Sequence, residues 1–257
     1  MLKSKNFAIL LLVPPFFSGA GNAFAADAKV AFDGAYGGLS LGYNQTSVSE
    51  GSANLYYDSA TGALPGLFTA ANGQSSKSNG IVGVLNFGYD HRINDFVIGA
   101  EFSGSLPSGT ASGYAGRDDI TDAALNQPIS STTKIQSIYA FKPKLGFVFN
   151  NNFMVYGMAG VALGSIKRTI SDGSGGYWLD SSNSISSTKN QFGYTLGAGV
   201  EKVIGEQLSV KFEFNYVDLG NPSYTYSGGT YNGAPVPITQ TIKVTNVATT
   251  IGLSYKF

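Results

Sequence analysis

The sequence predicts an all-β protein, an eight-stranded antiparallel up-and-down transmembrane β-barrel with long outer loops and short periplasmic turns. Three observations predict it. Segment after segment alternates with period two between an apolar face and a small or polar face. The charges inside those segments keep to the polar face. The connections alternate between short and long. Composition agrees: only 12% of the residues are charged, about half the usual globular share, while there are 34 glycines and 13% aromatics. At 43% hydrophobic the chain is too apolar to be disordered. Sixteen basic and sixteen acidic residues cancel, which removes the electrostatic footprint of a nucleic-acid binder. With no cysteine and one histidine, disulfide scaffolds, thiolate metal sites and cysteine nucleophiles are excluded, and little is left for an imidazole triad.

The first element is an address. A basic start with Lys3 and Lys5, an uncharged stretch from Phe7 to Phe17 and the small-x-small pattern Ala23-Phe24-Ala25 have the order of a cleaved secretory signal peptide, residues 1–25. The apolar run is shorter than the roughly 20 residues a membrane-spanning helix needs. Residues 26–257 are then a single barrel domain in the outer membrane.

The strands follow in order. In the first, Leu39, Leu41 and Tyr43 oppose Ser40, Gly42 and Asn44. In the second, Ile81, Leu85, Phe87 and Tyr89 oppose Asn86, Gly88 and Asp90; in the third, Phe96, Ile98 and Phe102 oppose Gly99, Glu101 and Ser103. The fourth sets Tyr139, Phe141, Leu145 and Phe147 against Lys142, Lys144 and Gly146, and the fifth, less sharply, Val155, Val161 and Leu163 against Tyr156, Gly160 and Gly164. Phe192, Tyr194 and Leu196 face away from Thr195, Gly197 and Glu201 in the sixth; Leu208, Val210, Phe212 and Phe214 face away from Lys211, Glu213 and Asn215 in the seventh. The last sets Ile251, Leu253, Tyr255 and Phe257 against Thr250, Gly252 and Ser254. Pro143 removes a ladder donor, which predicts a bulge or a membrane-edge position.

Short turns fall at Arg92–Asp95, Asn150–Asn152 and Ile204–Glu206, and long Ser-, Gly-, Thr- and Asn-rich stretches separate the other pairs. Long loops outside and short turns in the periplasm describe an outer-membrane barrel. Charge segregation supports it, because a charge facing lipid at the midplane costs about 2–4 kcal/mol. Glu101, Lys142, Lys144, Glu201, Lys211 and Glu213 therefore form a charge network inside the barrel, where three acids and three bases fix register and fill the lumen.

The motifs Ala35–Tyr43, Tyr156–Ala162, Gly193–Glu201, Phe212–Gly220 and Ile251–Phe257 resemble those of the small opacity-type, porin-like outer-membrane β-barrel proteins of alpha-proteobacteria, over essentially residues 30–257. The resemblance implies a barrel whose terminal Tyr255 and Phe257 are read by the barrel-insertion machinery, and an envelope-structural or surface-contact role. Where other members carry Arg in the fourth strand, this chain has Lys142 and Lys144, which keeps the charge and loses bidentate geometry.

No catalytic constellation is legible. His91 could pair with Asp90 or Asp95, Asp118, Asp119 and Asp122 could hold a divalent cation through oxygen, and Gly173–Gly176 lacks the Lys of a phosphate loop; each reads more simply as solvated turn or loop. The expectation is a surface-antigen-like, non-enzymatic barrel without cofactor. It would be embedded in outer-membrane lipid and lipopolysaccharide, make no contact with nucleic acid, and meet host surface molecules through Tyr56, Tyr57, Phe68, Tyr177, Trp178 and Tyr226. A narrow porin-like diffusion channel is the alternative, and loop-mediated capture of haem or another small ligand is a third.

Overall fold

Alternation carries the chain much further in one direction than the apolar faces alone suggest. The computed structural model describes residues 31–55, 68–70, 74–118, 128–172, 184–231 and 234–257; the signal-peptide residues 1–25 lie outside them. Eleven strands follow in order: β1 Gly34–Leu55, β2 Phe68–Ala70, β3 Ser75–Ile93, β4 Phe96–Pro107, β5 Ala111–Asp118, β6 Pro128–Phe149, β7 Phe153–Asp172, β8 Ser184–Val203, β9 Leu208–Asp218, β10 Ser223–Tyr231 and β11 Ala234–Lys256. Every pairing is antiparallel, and the ladder β1–β3–β4–β6–β7–β8–β9–β11 returns to β1, so eight strands close a ring. Closure removes the unpaired edges that lipid would not tolerate.

β5 continues β4 along β6, and β10 continues β9 along β11. Each joint sits where the chain cannot hold an extended ladder. Gly109 takes φ +102° just after Pro107, and Gly220 takes φ +67° ahead of Pro222. The second joint turns Leu219 fully inward.

The short turns lie at one end. Asn94 at φ +56° makes the two-residue turn between β3 and β4, and Asn150 and Asn151, at φ +50° and +59°, make the turn between β6 and β7; asparagine tolerates this left-handed region. The Phe257 amide donates to the Ala35 carbonyl at the same end, 3.0 Å away.

Two expectations change. The long connections are shorter than they read, because β1, β6, β7, β8 and β11 are 20 to 23 residues long, about twice the nine to eleven needed to span a bilayer. Ser- and Thr-rich stretches read as loop are strand. Pro143 makes neither a bulge nor an edge: it lies mid-row between Phe141 and Leu145 and pairs with Ala100. The β6–β7 bridges run Phe141↔Val161 and resume at Lys144↔Met158 in the same register, so only local pairing is lost. Gly160 permits this close approach, since a Cβ there would stand 1.9 Å from the Phe141 carbonyl oxygen. The bulge in β6 falls between Ile135 and Ser137 instead.

Outside, an apolar belt runs round the ring, with Leu41 69%, Leu145 66% and Phe192 74% exposed. Such exposure is ruinous in water and ordinary against lipid tails.

Candidate functional site

The belt's inward partners build the site. Parity alone aims them: β3 contributes Asn86 and Asp90, β4 Glu101, β6 Lys142 and Lys144, and β9 Lys211 and Glu213, while Tyr36 enters from β1 and Tyr156 from β7, all buried. Glu101 is the hub. Its Oε1 lies 2.7 Å from Lys142 Nζ; its Oε2 accepts from Lys211 Nζ at 3.2 Å, Asn86 Nδ2 at 3.0 Å and Tyr36 OH at 3.2 Å. Lys144 donates to Asp90 at 2.6 Å and to Tyr36 OH at 3.0 Å, with its ammonium 4.4 Å from the Tyr36 ring centre. Glu213 accepts from Lys211 at 3.1 Å and from Tyr156 OH at 2.8 Å. Phe32, Val97, Val148 and Met154 pack beneath this layer.

All six interior charges read from the sequence sit here, between 1% and 7% exposed. Glu201 stands slightly apart and accepts from Ser209 Oγ. Asp90 joins them, so four carboxylates face three ammonium groups and the layer is not formally neutral as three-against-three implied. Asp90 also cannot serve His91. It points inward to Lys144, whereas the exposed His91 ring meets Asp33 at 3.1 Å and Asp95 lies 3.8 Å from Arg92. Burial would raise the Asp33 carboxyl, but hydrogen bonds from the Arg92 amide and from His91 outweigh it and hold the group below its ordinary range.

A second polar centre, which the sequence reading missed, lies further out. Arg168 is fully buried and bidentate on Glu50, with Nη2 to Oε2 2.7 Å and Nη1 to Oε1 3.1 Å. Gln240 accepts from Arg168 at 2.7 Å and donates to Glu50 at 3.0 Å, and Ser131 donates to Glu50 at 3.1 Å. Around them packs an apolar core including Val48, Ile135, Ile166, Ile170, Leu219, Tyr224 and Ile242. The guanidinium fork absent from the fourth long strand thus stands one strand later. Its signal was parity, since Arg168 shares its face with Ala162 and Ile166.

Between the two centres lies a cavity of about 40 Å³ lined by Ser103, Lys142, Asn215, Asn246 and Thr250 with Val82, Ile138 and Val217. That is room for water, with polar partners to hold it.

Of the residues read as loop contacts, Tyr226 is 4% exposed and stacks 6.3 Å from Tyr224, because β10 is a barrel strand and this position faces in. Phe68 opens β2, and Tyr56, Tyr57, Tyr177 and Trp178 lie outside the described residues. So do Asp119, Asp122 and Gly173–Gly176, while Asp118 ends β5. Tyr255 and Phe257 stack edge to face at 5.6 Å.

The 31 kDa outer-membrane immunogenic protein of Brucella melitensis is 30% identical over 185 residues, 70% of this chain and 68% of its own. The 22 kDa outer membrane protein of Rhizobium leguminosarum is 26% identical over 160 residues, 62% of this chain and 63% of its own. Among solved structures, the outer membrane protein OprG of Pseudomonas aeruginosa shares the fold at TM-score 0.53 and 15% identity, over 90% of this chain and 99% of that one. The family model described as outer membrane protein beta-barrel domain matches residues 11–257, and with an apolar belt around a closed ring the chain belongs to that family.

Proposed function

We propose that this outer-membrane barrel is a non-conducting, non-enzymatic anchor that holds its outer extension as a contact surface, an envelope-structural and surface-interaction role. The observation that carries this reading is that buried side chains occupy the interior at two heights, the Glu101 layer and the apolar core around Arg168. Opening a path would strip partners from buried charges, which is costly in both places. An eight-stranded ring has little room to spare beyond its own side chains. The interior carboxylates are engaged by lysine, tyrosine and asparagine, which fits support better than acid–base work. Contacts with host surface molecules fall to the outer segments bearing Tyr56, Tyr57, Phe68, Tyr177 and Trp178, and Tyr255 with Phe257 serves insertion.

A narrow diffusion channel is the second reading, favoured by the cavity between the two layers, which would be a waypoint for water and small solutes. Single-channel recording of the refolded barrel in a planar bilayer separates them, with Glu101→Ala and Lys144→Ala alongside. The anchor is silent while showing the heat-modifiable migration of a folded barrel. A steady conductance that changes with either substitution overturns it in favour of the channel.

A further inference from the structure

Outside the barrel, polarity changes in rows above the belt. On the β6–β7 wall Tyr139 and Leu163 are cross-strand neighbours and form the last apolar row. Ser137 and Ser165 form the next row, and Lys134 and Lys167 the one after. The β1–β3 wall repeats this order: Tyr43 with Ile81, then Gln45 with Asn79, then Ser47 with Lys77. On both walls lysine stands two rows beyond the belt. At about 3.3 Å per residue and a tilt near 40°, that is about 10 Å of height, from which a lysine folding back reaches the headgroups.

The β6–β7 wall differs in one respect. Lys134 and Lys167 lie directly opposite each other, both exposed, and among the described residues neither has a carboxylate within ion-pair distance. Lys243, by contrast, is 3.4 Å from Asp218. Like charges directly opposite destabilise a ladder unless an anion lies between them. We propose that Lys134 and Lys167 form a site on the outer wall for the phosphate of a membrane-anchored anionic lipid of the outer leaflet. The charge is complementary, the height is that of lipid phosphate, and a phosphate supplies enough acceptor oxygens for both ammonium groups. The site is independent of the interior, so a conducting barrel would bind the lipid equally well.

The test is lipid retention, read by native mass spectrometry of the full barrel released from phosphatidylcholine nanodiscs containing bis-phosphorylated or dephosphorylated lipid A. The wild type keeps the phosphorylated form and loses the other. With each lysine near the surface contributing on the common scale, K134Q/K167Q lowers retention about 30-fold, and K134R/K167R keeps it. Undiminished retention by the glutamine pair overturns the proposal. So does equal retention of dephosphorylated lipid A by the wild type, a comparison that needs no variant to fold. Displacement by millimolar inorganic phosphate overturns it too, since the site would then read a soluble anion.

Discussion

At the height of Glu101 the barrel wall turns Leu39, Phe102 and Phe141 outward and Lys142, Lys211 and Glu213 inward. At the height of Arg168 the same strands carry Ser49, Lys167 and Thr169 outside and Val48, Ile166 and Ile242 inside. Parity is unchanged along β1, β7 and β11; the solvent outside is what changes. Against lipid tails an apolar interior offers no hydrophobic gain over the exterior, so the inner face is free to carry a hydrogen-bonded ion layer. Against water, burying Ile166 and Ile242 is favourable at about 25 cal/mol per Å² of apolar surface, and the outer half folds as a soluble barrel would. Its wall is tied by hydroxyl pairs across the strands, Ser49 with Ser75 at 3.0 Å, Thr169 with Ser186 at 2.7 Å and Ser223 with Thr241 at 2.7 Å.

The sharpest break of this contrast is Arg168→Ala. It leaves Glu50 charged and buried in an apolar core, at a cost of about 3–5 kcal/mol. Urea unfolding of the barrel in lipid vesicles reads this as a lowered midpoint at constant slope. If the outer half is a soluble-type core, Arg168→Met with Glu50→Leu restores most of the loss, because apolar groups of similar volume replace the pair. A double variant as weak as the single one shows that the ion pair, rather than apolar packing, holds that half together.

Next in size is the outer wall. Leu145→Arg puts a charge in the lipid belt and costs about 2–4 kcal/mol. Thr169→Arg, at outward parity one strand over and several rows higher, changes stability by about 0.5 kcal/mol or less because its wall is wet. Equal penalties at both positions place the membrane boundary above Thr169 and erase the contrast.

The membrane half was legible in the sequence because its signal is asymmetric: Leu, Phe and Tyr on one parity against Lys, Glu and Gly on the other, as in Tyr139–Phe147. The outer half was not. In Ser165-Ile166-Lys167-Arg168-Thr169-Ile170 the apolar residues have moved to the opposite parity among hydroxyls, so a search for an apolar outward face reads it as loop. Arg168 and Glu50 were lost with it. Asp90 was visible on the polar parity, but adjacency to His91 suggested the wrong partner. Alternation sends neighbours to opposite faces, so Asp90 meets Lys144, 54 positions away, while His91 finds Asp33. Tyr226 failed for the same reason as Arg168.

The smallest expected effect lies at the rim below both halves and supplies their baseline. Asp33 accepts from the Arg92 amide at 3.0 Å and faces His91, and its carboxyl titrates below the ordinary 3.8 despite partial burial. A depressed carboxylate contributes stability that is present above about pH 4 and lost as pH falls through its folded value. Asp33→Asn keeps an oxygen for the amide, so at pH 7 it costs about 0.5 kcal/mol, the scale of an exposed pair. Below about pH 4 the loss of midpoint with falling pH becomes shallower than in the wild type. An acid limb that Asp33→Asn leaves unchanged belongs to a buried carboxylate instead. Glu50→Gln and Glu101→Gln then decide which half unfolds first in acid.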